Sequence, residues 1–206
     1  MSLTLVTAPT VNPVTNAEVY EHLRVPLTGS PAAPVDESHI TALISAAVGY
    51  VDAKNGVLGR ALVTQTWDMK LDRFPAVICV PLPPLQSVTS ITYVDSNGDS
   101  QTLSSLLYTV DTSTEPARII PAYNESWPST RGHIDDVTIR FVAGYAGDGA
   151  SPEDLRANVP FNIKAGIKVL VNELYQNRGD SAVGASVEKL PFDVMALLAP
   201  FRVMEF

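Results

Sequence analysis

The amino-acid sequence predicts an α+β chain in which a helical bundle scaffold, made of N- and C-terminal helices, carries an inserted antiparallel β subdomain. Two observations lead to this. The apolar period is helical near both ends of the chain and switches to two in the middle, and that order of helices, strands, helices suits a scaffold with an insertion. Sixteen prolines against twelve glycines add many stiff connections, which favour short strands over a pure helical bundle.

"VTNAEVYEHLRV" places Thr15 three residues before Glu18, the spacing of a capping box, and Val19 and Leu23 share one face of the short helix that follows. After "PLTGSPAAP", Asp36 is placed to cap a longer helix. Ile40, Leu43, Ile44, Ala47, Val48 and Val51 form its apolar stripe, and Asn55-Gly56 its stop. The period then changes. Val63, Gln65, Trp67, Met69 and Leu71 alternate with Thr64, Thr66, Asp68, Lys70 and Asp72, as in a strand with one buried face. "AVICV" reads as a short apolar strand with Cys79 buried, and "PLPPL" as a stiff connector. "SITYVDSNGDSQTL" is a hairpin turning at Asn97-Gly98, residues that both accept positive φ. "YTVD" with "ARIIP", and then "DVTIRFVAGY", complete the β region. Helical spacing returns in "VPFNIKAGIKVLVNELYQNRG". Pro160 suits its first turn, Ile163, Ile167, Leu170, Val171 and Leu174 its stripe, and Gly179 its stop. "DSAVGASVEK" reads as a flexible link to a last short helix over 191–199.

The resulting plan is a single domain over 1–206. Residues 14–60 and 155–199 form the scaffold, 61–145 the β subdomain, and 200–206 an apolar tail. The tail includes Phe201, Val203, Met204 and Phe206, and chain ends are seldom so apolar. It is covered either by the protein's own helices or by another chain.

The sequence carries little that points to catalysis. His22, His39 and His133 lie in unrelated contexts, and no HExxH, nucleophile elbow, P-loop or GxGxxG occurs. "DSNGDS" lacks the glycine and glutamate positions of a calcium loop. Asp135-Asp136 and Glu153-Asp154 read as solvated turns or caps. Lys164 and Lys168 read as a solvated helix face, Trp67 as core, Trp127 as a loop aromatic packed on the β subdomain, and Pro81 to Pro84 as a rigid link. With one cysteine there is no intrachain disulfide and no multi-cysteine metal site. "MSLTLVTAP" has neither the basic start nor the apolar run of a signal peptide, and no stretch approaches the ~20 apolar residues of a membrane span. A formal charge of −8 argues against broad binding of duplex DNA, which needs clustered Lys and Arg. It is compatible with DNA sliding past a surface that does not hold it.

An ordered set of stretches resembles one family. "VTNAEVYEHLRV" comes first, and "DESHITALISAAVGYVDAKNG" then runs into "GRALVTQTWDMKLDRFP". "PLPPLQSVTSITYVDSNGDSQTL", "YTVD", "RIIP", "WP" and "VTIRFVAGY" follow, and then "VPFNIKAGIKVLVNELYQNRG" and "LPFDVMALLAPFRV". The most specific are Gln65-Thr66-Trp67 with Leu71 to Pro75, Tyr175 to Arg178, and Leu197 to Arg202. Together they resemble the head–tail connector (adaptor, or head-completion) proteins of long-tailed bacteriophages, prophages and gene transfer agents. The glycine-containing stretch 179–186 departs from the pattern.

The resemblance implies a structural protein of the virion neck, with no enzymatic activity and no cofactor, assembled in the bacterial host cytoplasm. Its copies would form a ring, usually of twelve, beneath the portal protein. The ring would extend the DNA channel without specific DNA binding and join the head to the stopper and tail. The resemblance also implies that the C-terminal segment engages the portal, through Pro200, Phe201, Arg202, Val203, Met204 and Phe206. Deleting 200–206 is then expected to leave the domain folded and to abolish portal binding. The alternatives are another neck component, a stopper or tail-terminator protein, or a hydrolase with a scattered active site.

Overall fold

A computed structural model describes residues 1–29, 32–177 and 194–203. The expected stop at Gly179, the 179–186 stretch, residues 191–193, Met204 and Phe206 lie outside these. The described residues are α+β, and the fold is sheet-rich. Eight strands, β1 (Ser2–Thr7), β2 (Gln65–Leu71), β3 (Ile78–Val80), β4 (Leu85–Val94), β5 (Ser100–Thr102), β6 (Tyr108–Asp111), β7 (Ala117–Pro121) and β8 (Val137–Ala143), accompany four α-helices. These are α1 (Asn16–Leu23), α2 (Glu37–Val51), α3 (Phe161–Gln176) and α4 (Val194–Leu198).

α1 starts where its capping box sets it. The Thr15 side chain accepts from the Glu18 N–H at 3.1 Å, while Glu18 Oε2 accepts from the Thr15 N–H at 2.7 Å. Asp36 does sit at the head of α2, but its carboxylate makes no capping bond there. It accepts instead from the Tyr175 hydroxyl at 2.7 Å, fastening the start of α2 to the end of α3. The expected stop at Asn55-Gly56 is corrected too. α2 ends at Val51, because Ala53 turns to a positive φ and its N–H donates to the Arg60 carbonyl at 2.8 Å, closing a compact loop. α3 packs against α1, α2 and α4. Val19, Ile40, Ile44, Leu58, Ile163, Ile167 and Leu198 form the heart of this helical core.

The five-stranded sheet has the order β1-β2-β8-β4-β5, and the three-stranded sheet the order β3-β7-β6; every pairing is antiparallel. Strict alternation explains β2 and β8. Trp67 and Met69 face inward opposite Phe141 and Ile139, while on the other face Asp68 meets Arg140 in a two-bond pair at 2.8 Å. The inner faces of the sheets enclose a second core of Trp67, Met69, Ile78, Ile91, Ile119, Ile139 and Phe141. The hairpin after β4 forms as expected, with one difference. Only Gly98 of the Asn97-Gly98 pair takes a positive φ, because the Asp95 carboxylate accepts the N–H groups of Asn97 and Asp99 and holds a longer turn.

Three further features differ from the sequence reading. β1 was not anticipated: it pairs with β2 and brings the first residues of the chain into the sheet that residues 61–145 mainly build. Cys79 is exposed, since in β3 it is Ile78 and Val80 that point inward. Lys164 is buried, its ammonium 5.8 Å from the Phe161 ring centroid, because α3 has helices on several sides and its covered arc reaches past the apolar stripe.

Candidate functional site

The C-terminal segment is the candidate carried forward from the sequence, and its described part lies on the protein's own body. α4 is anchored by Leu198, fully buried against α3 where Gly166 leaves room: a Cβ added at Gly166 would stand 2.9 Å from Leu198 Cδ2. A 3-10 turn over Ala199–Phe201 follows, and the Arg202 N–H closes it on the Ala199 carbonyl. Phe201 is half-buried against the helical core, and the Val203 N–H donates to the Leu58 carbonyl at 2.9 Å. Pro200 and Arg202 are exposed. Of the six residues named as a docking tail, the structure therefore brings Phe201 and Val203 onto the helical core and leaves Pro200 and Arg202 at the surface. Met204 and Phe206 lie outside the described residues.

Beneath the segment sits a residue that sequence reasoning missed. Arg60, 6 % exposed, comes from the loop between α2 and β2. Its Nε donates to the Phe201 carbonyl at 2.6 Å and its Nη1 to the Tyr145 hydroxyl at 2.9 Å. Nη2 forms an ion pair with Glu115 at 2.7 Å. One guanidinium thus joins the C-terminal segment, the β6–β7 loop and the residues just after β8. Burial pushes the Tyr145 phenol above its usual pKa, and the neighbouring Arg60 charge pulls it partly back. The available signal was a lone arginine inside the apolar run "VLGRAL", since a charge is seldom enclosed unless it is paired. Its partners, 55, 85 and 141 residues away, leave no trace in any local pattern.

A second network joins the two cores. Asp52 Oδ1 accepts from the Leu62 N–H at 2.8 Å and the Gln65 side-chain amide at 3.3 Å, and Gln65 Oε1 accepts from the Trp67 indole at 3.0 Å. These bonds are structural, tying the end of α2 to the start of β2.

The arrangement offers little chemistry. His22 lies on α1, His39 on α2 and His133 in the loop before β8. Among the described residues, no group of three or more His, Cys, Asp or Glu side chains is placed to hold a metal ion. Asp136, of the Asp135-Asp136 pair, is enclosed and accepts from the His133 N–H and the Arg131 guanidinium. Burial raises its pKa, and these donors outweigh that and hold it below the ordinary carboxylate range. Trp127 stacks on Phe74 at 4.9 Å between centroids, packed on the β core. An open hollow of about 300 Å³ between the ends of α1 and α3 is lined by Val25, Pro26, Pro34, Val35, Asp36 and Tyr175. The carboxylate in it is already bonded to the phenol. Among the described residues no helix is long and apolar enough to cross a membrane.

No family model matches the chain, and neither does any curated protein. Solved structures do match, from end to end. A chain in the neck of an empty gene transfer agent particle, computed with C6 symmetry, shares 24% identity at a TM-score of 0.77. A chain in the virion of a native gene transfer agent particle shares 23% at 0.75, and one in a native neck computed with C12 symmetry 23% at 0.68. Each match covers 100% of this chain and 97% of the other. The likeness shows a common fold over the whole chain.

Proposed function

We propose that this chain is a structural, non-enzymatic protein of a virion neck. In this reading it is a head–tail connector adaptor that closes into a ring under the portal, extends the DNA channel and passes the head on to the stopper and tail. The single observation that carries the reading is the whole-chain likeness to chains from gene transfer agent particles, two of them described as necks with cyclic symmetry. A protein can share a fold without sharing a role, so the residues must also suit the task. A ring requires two different, complementary faces on each subunit. Here the helices over 14–60 and 155–199 would be the scaffold and the sheets, built by 61–145 with β1 added, the inserted module, two unlike surfaces on one chain. A net charge of −8 suits a channel wall that lets DNA pass without gripping it. The C-terminal segment is the proposed portal contact.

Affinity capture from a lysate of particle-producing cells tests this, with the full-length chain and a version ending at Ala199 as baits and mass spectrometry as the readout. Recovery of a portal protein by the full-length chain alone supports both the adaptor role and the docking segment. Recovery by both baits keeps the role and removes the segment from the contact. Stopper or tail proteins without portal would favour another neck component, and no virion protein at all, from a lysate shown to contain them, would overturn the neck reading.

A further inference from the structure

We propose that Arg60 is a latch that couples the C-terminal segment to the β6–β7 loop, so that neither can leave its seat without loosening the other. The inference stands on geometry and does not depend on the neck reading.

The Arg60 side chain is 7 % exposed, and its donors are shared among partners from three parts of the chain: the Phe201 carbonyl, the Tyr145 hydroxyl and the Glu115 carboxylate. A buried guanidinium is tolerated only while its charge is balanced and its N–H groups are bonded. If residues 199–203 lift away, Nε loses its acceptor at 2.6 Å and the cation gains a reason to turn toward water. Glu115, 48 % exposed, then loses the arrangement that orders it. The reverse holds as well. If Glu115 withdraws, the buried cation keeps, among the described residues, only neutral partners, the Tyr145 hydroxyl and the Phe201 carbonyl, and the seat beneath Phe201 weakens.

Among the described residues, the other polar or close-packed anchors of the segment named above lie on the helical side. Leu198 sits on Gly166 of α3, and the Val203 N–H is held by the Leu58 carbonyl. Among the described residues, Arg60 is therefore a polar connection by which the position of residues 199–203 is felt at residues 112–116, a loop between strands that line the other core. A partner that takes hold of the C-terminal segment would loosen that loop at Glu115 through this side chain, while the Asp111–Ser113 and Asp111–Arg118 bonds keep its base in place.

Hydrogen exchange read by mass spectrometry on the full-length chain tests the latch. Glu115→Gln keeps the size and an acceptor but removes the charge. The expected result is faster exchange both in the peptide that spans the 112–116 loop with its flanking strand ends and in the peptide carrying Arg202 and Val203. In the latter the acceleration should be about tenfold, the scale of a lost charge-assisted hydrogen bond. Peptides from β4 should stay unchanged. The reciprocal variant, a chain ending at Ala199, should speed exchange in the 112–116 loop. Acceleration confined to the loop in Glu115→Gln would overturn the proposal. So would acceleration everywhere, because Arg60 would then be a general core group and not a local coupling. Should the shortened chain lose protection throughout, the Glu115→Gln result decides alone.

Discussion

Asp52 shows how single residues hold the two cores in register. Burial raises its carboxyl pKa, against the opposing pull of the Leu62 N–H, the Gln65 amide and the Ala53 N–H. The folded chain thus binds this proton more tightly than the unfolded chain. The resulting stability is fully present below the ordinary carboxylate pKa and is lost as pH rises through the raised value. Asn mimics the protonated form, so the advantage of the natural chain over Asp52→Asn is expected to shrink as urea titrations move from about pH 4 to 7. Asp111 has the opposite sign: the Ser113 hydroxyl and the Arg118 guanidinium lower its pKa to about 2. Its contribution is present above the ordinary carboxylate range and disappears as pH falls toward 2. An independent residue-scale case is Thr15, whose side chain accepts from the Glu18 N–H at the head of α1 while the Glu18 carboxylate accepts from the Thr15 N–H. Thr15→Ala should cost about 1 kcal/mol, seen as a shift in urea midpoint at unchanged slope.

At the scale of elements, the contact between α3 and α4 is the most exacting. Leu198→Ala removes a fully buried side chain and should destabilise by roughly 2–5 kcal/mol. Gly166→Ala should also destabilise, by forcing a methyl group against Leu198 Cδ2, and thermal unfolding of the two variants checks both. The strands β2, β7 and β8 were legible because alternation is a local property, each buried residue being announced two positions earlier, whereas β4 was legible through the turn at Asn97-Gly98 that follows it. α1 was legible through Thr15 and Glu18, whose spacing is itself the cap. β1 was not, since "SLTLVT" is almost wholly exposed and becomes a strand only through its pairing with β2. Lys164 misled because a stripe reports one contact face, whereas α3 is covered on several. The candidate site divides in the same way. The apolar character of residues 200–206 can be read directly, but their seat over Arg60 depends on partners far apart in the chain.

For the whole molecule, the question is whether the C-terminal segment belongs to the fold or to an assembly, and two truncations separate these. A chain ending at Val203 keeps every described contact of the segment, including the Phe201 carbonyl on Arg60 and the Val203 N–H on Leu58. Its unfolding temperature against that of the full chain reads what residues 204–206 add to the fold. A chain ending at Ala199 leaves the buried Arg60 short of an acceptor. Losing a hydrogen bond to a charged group costs roughly 1.5–3 kcal/mol, which for a domain of this size lowers the midpoint by about 3–12 °C. Portal capture by the same two chains then assigns the docking role. If the chain ending at Val203 already fails to capture portal while melting normally, the partner contact lies in 204–206, and residues 200–203 serve the fold. If it captures portal and only the chain ending at Ala199 fails, residues 200–203 serve both, and docking must draw on a segment that the free protein already uses to seat Arg60. A midpoint unchanged in both chains would show that the Arg60 bonds add nothing to stability, and would remove the energetic ground for treating the segment as part of the fold.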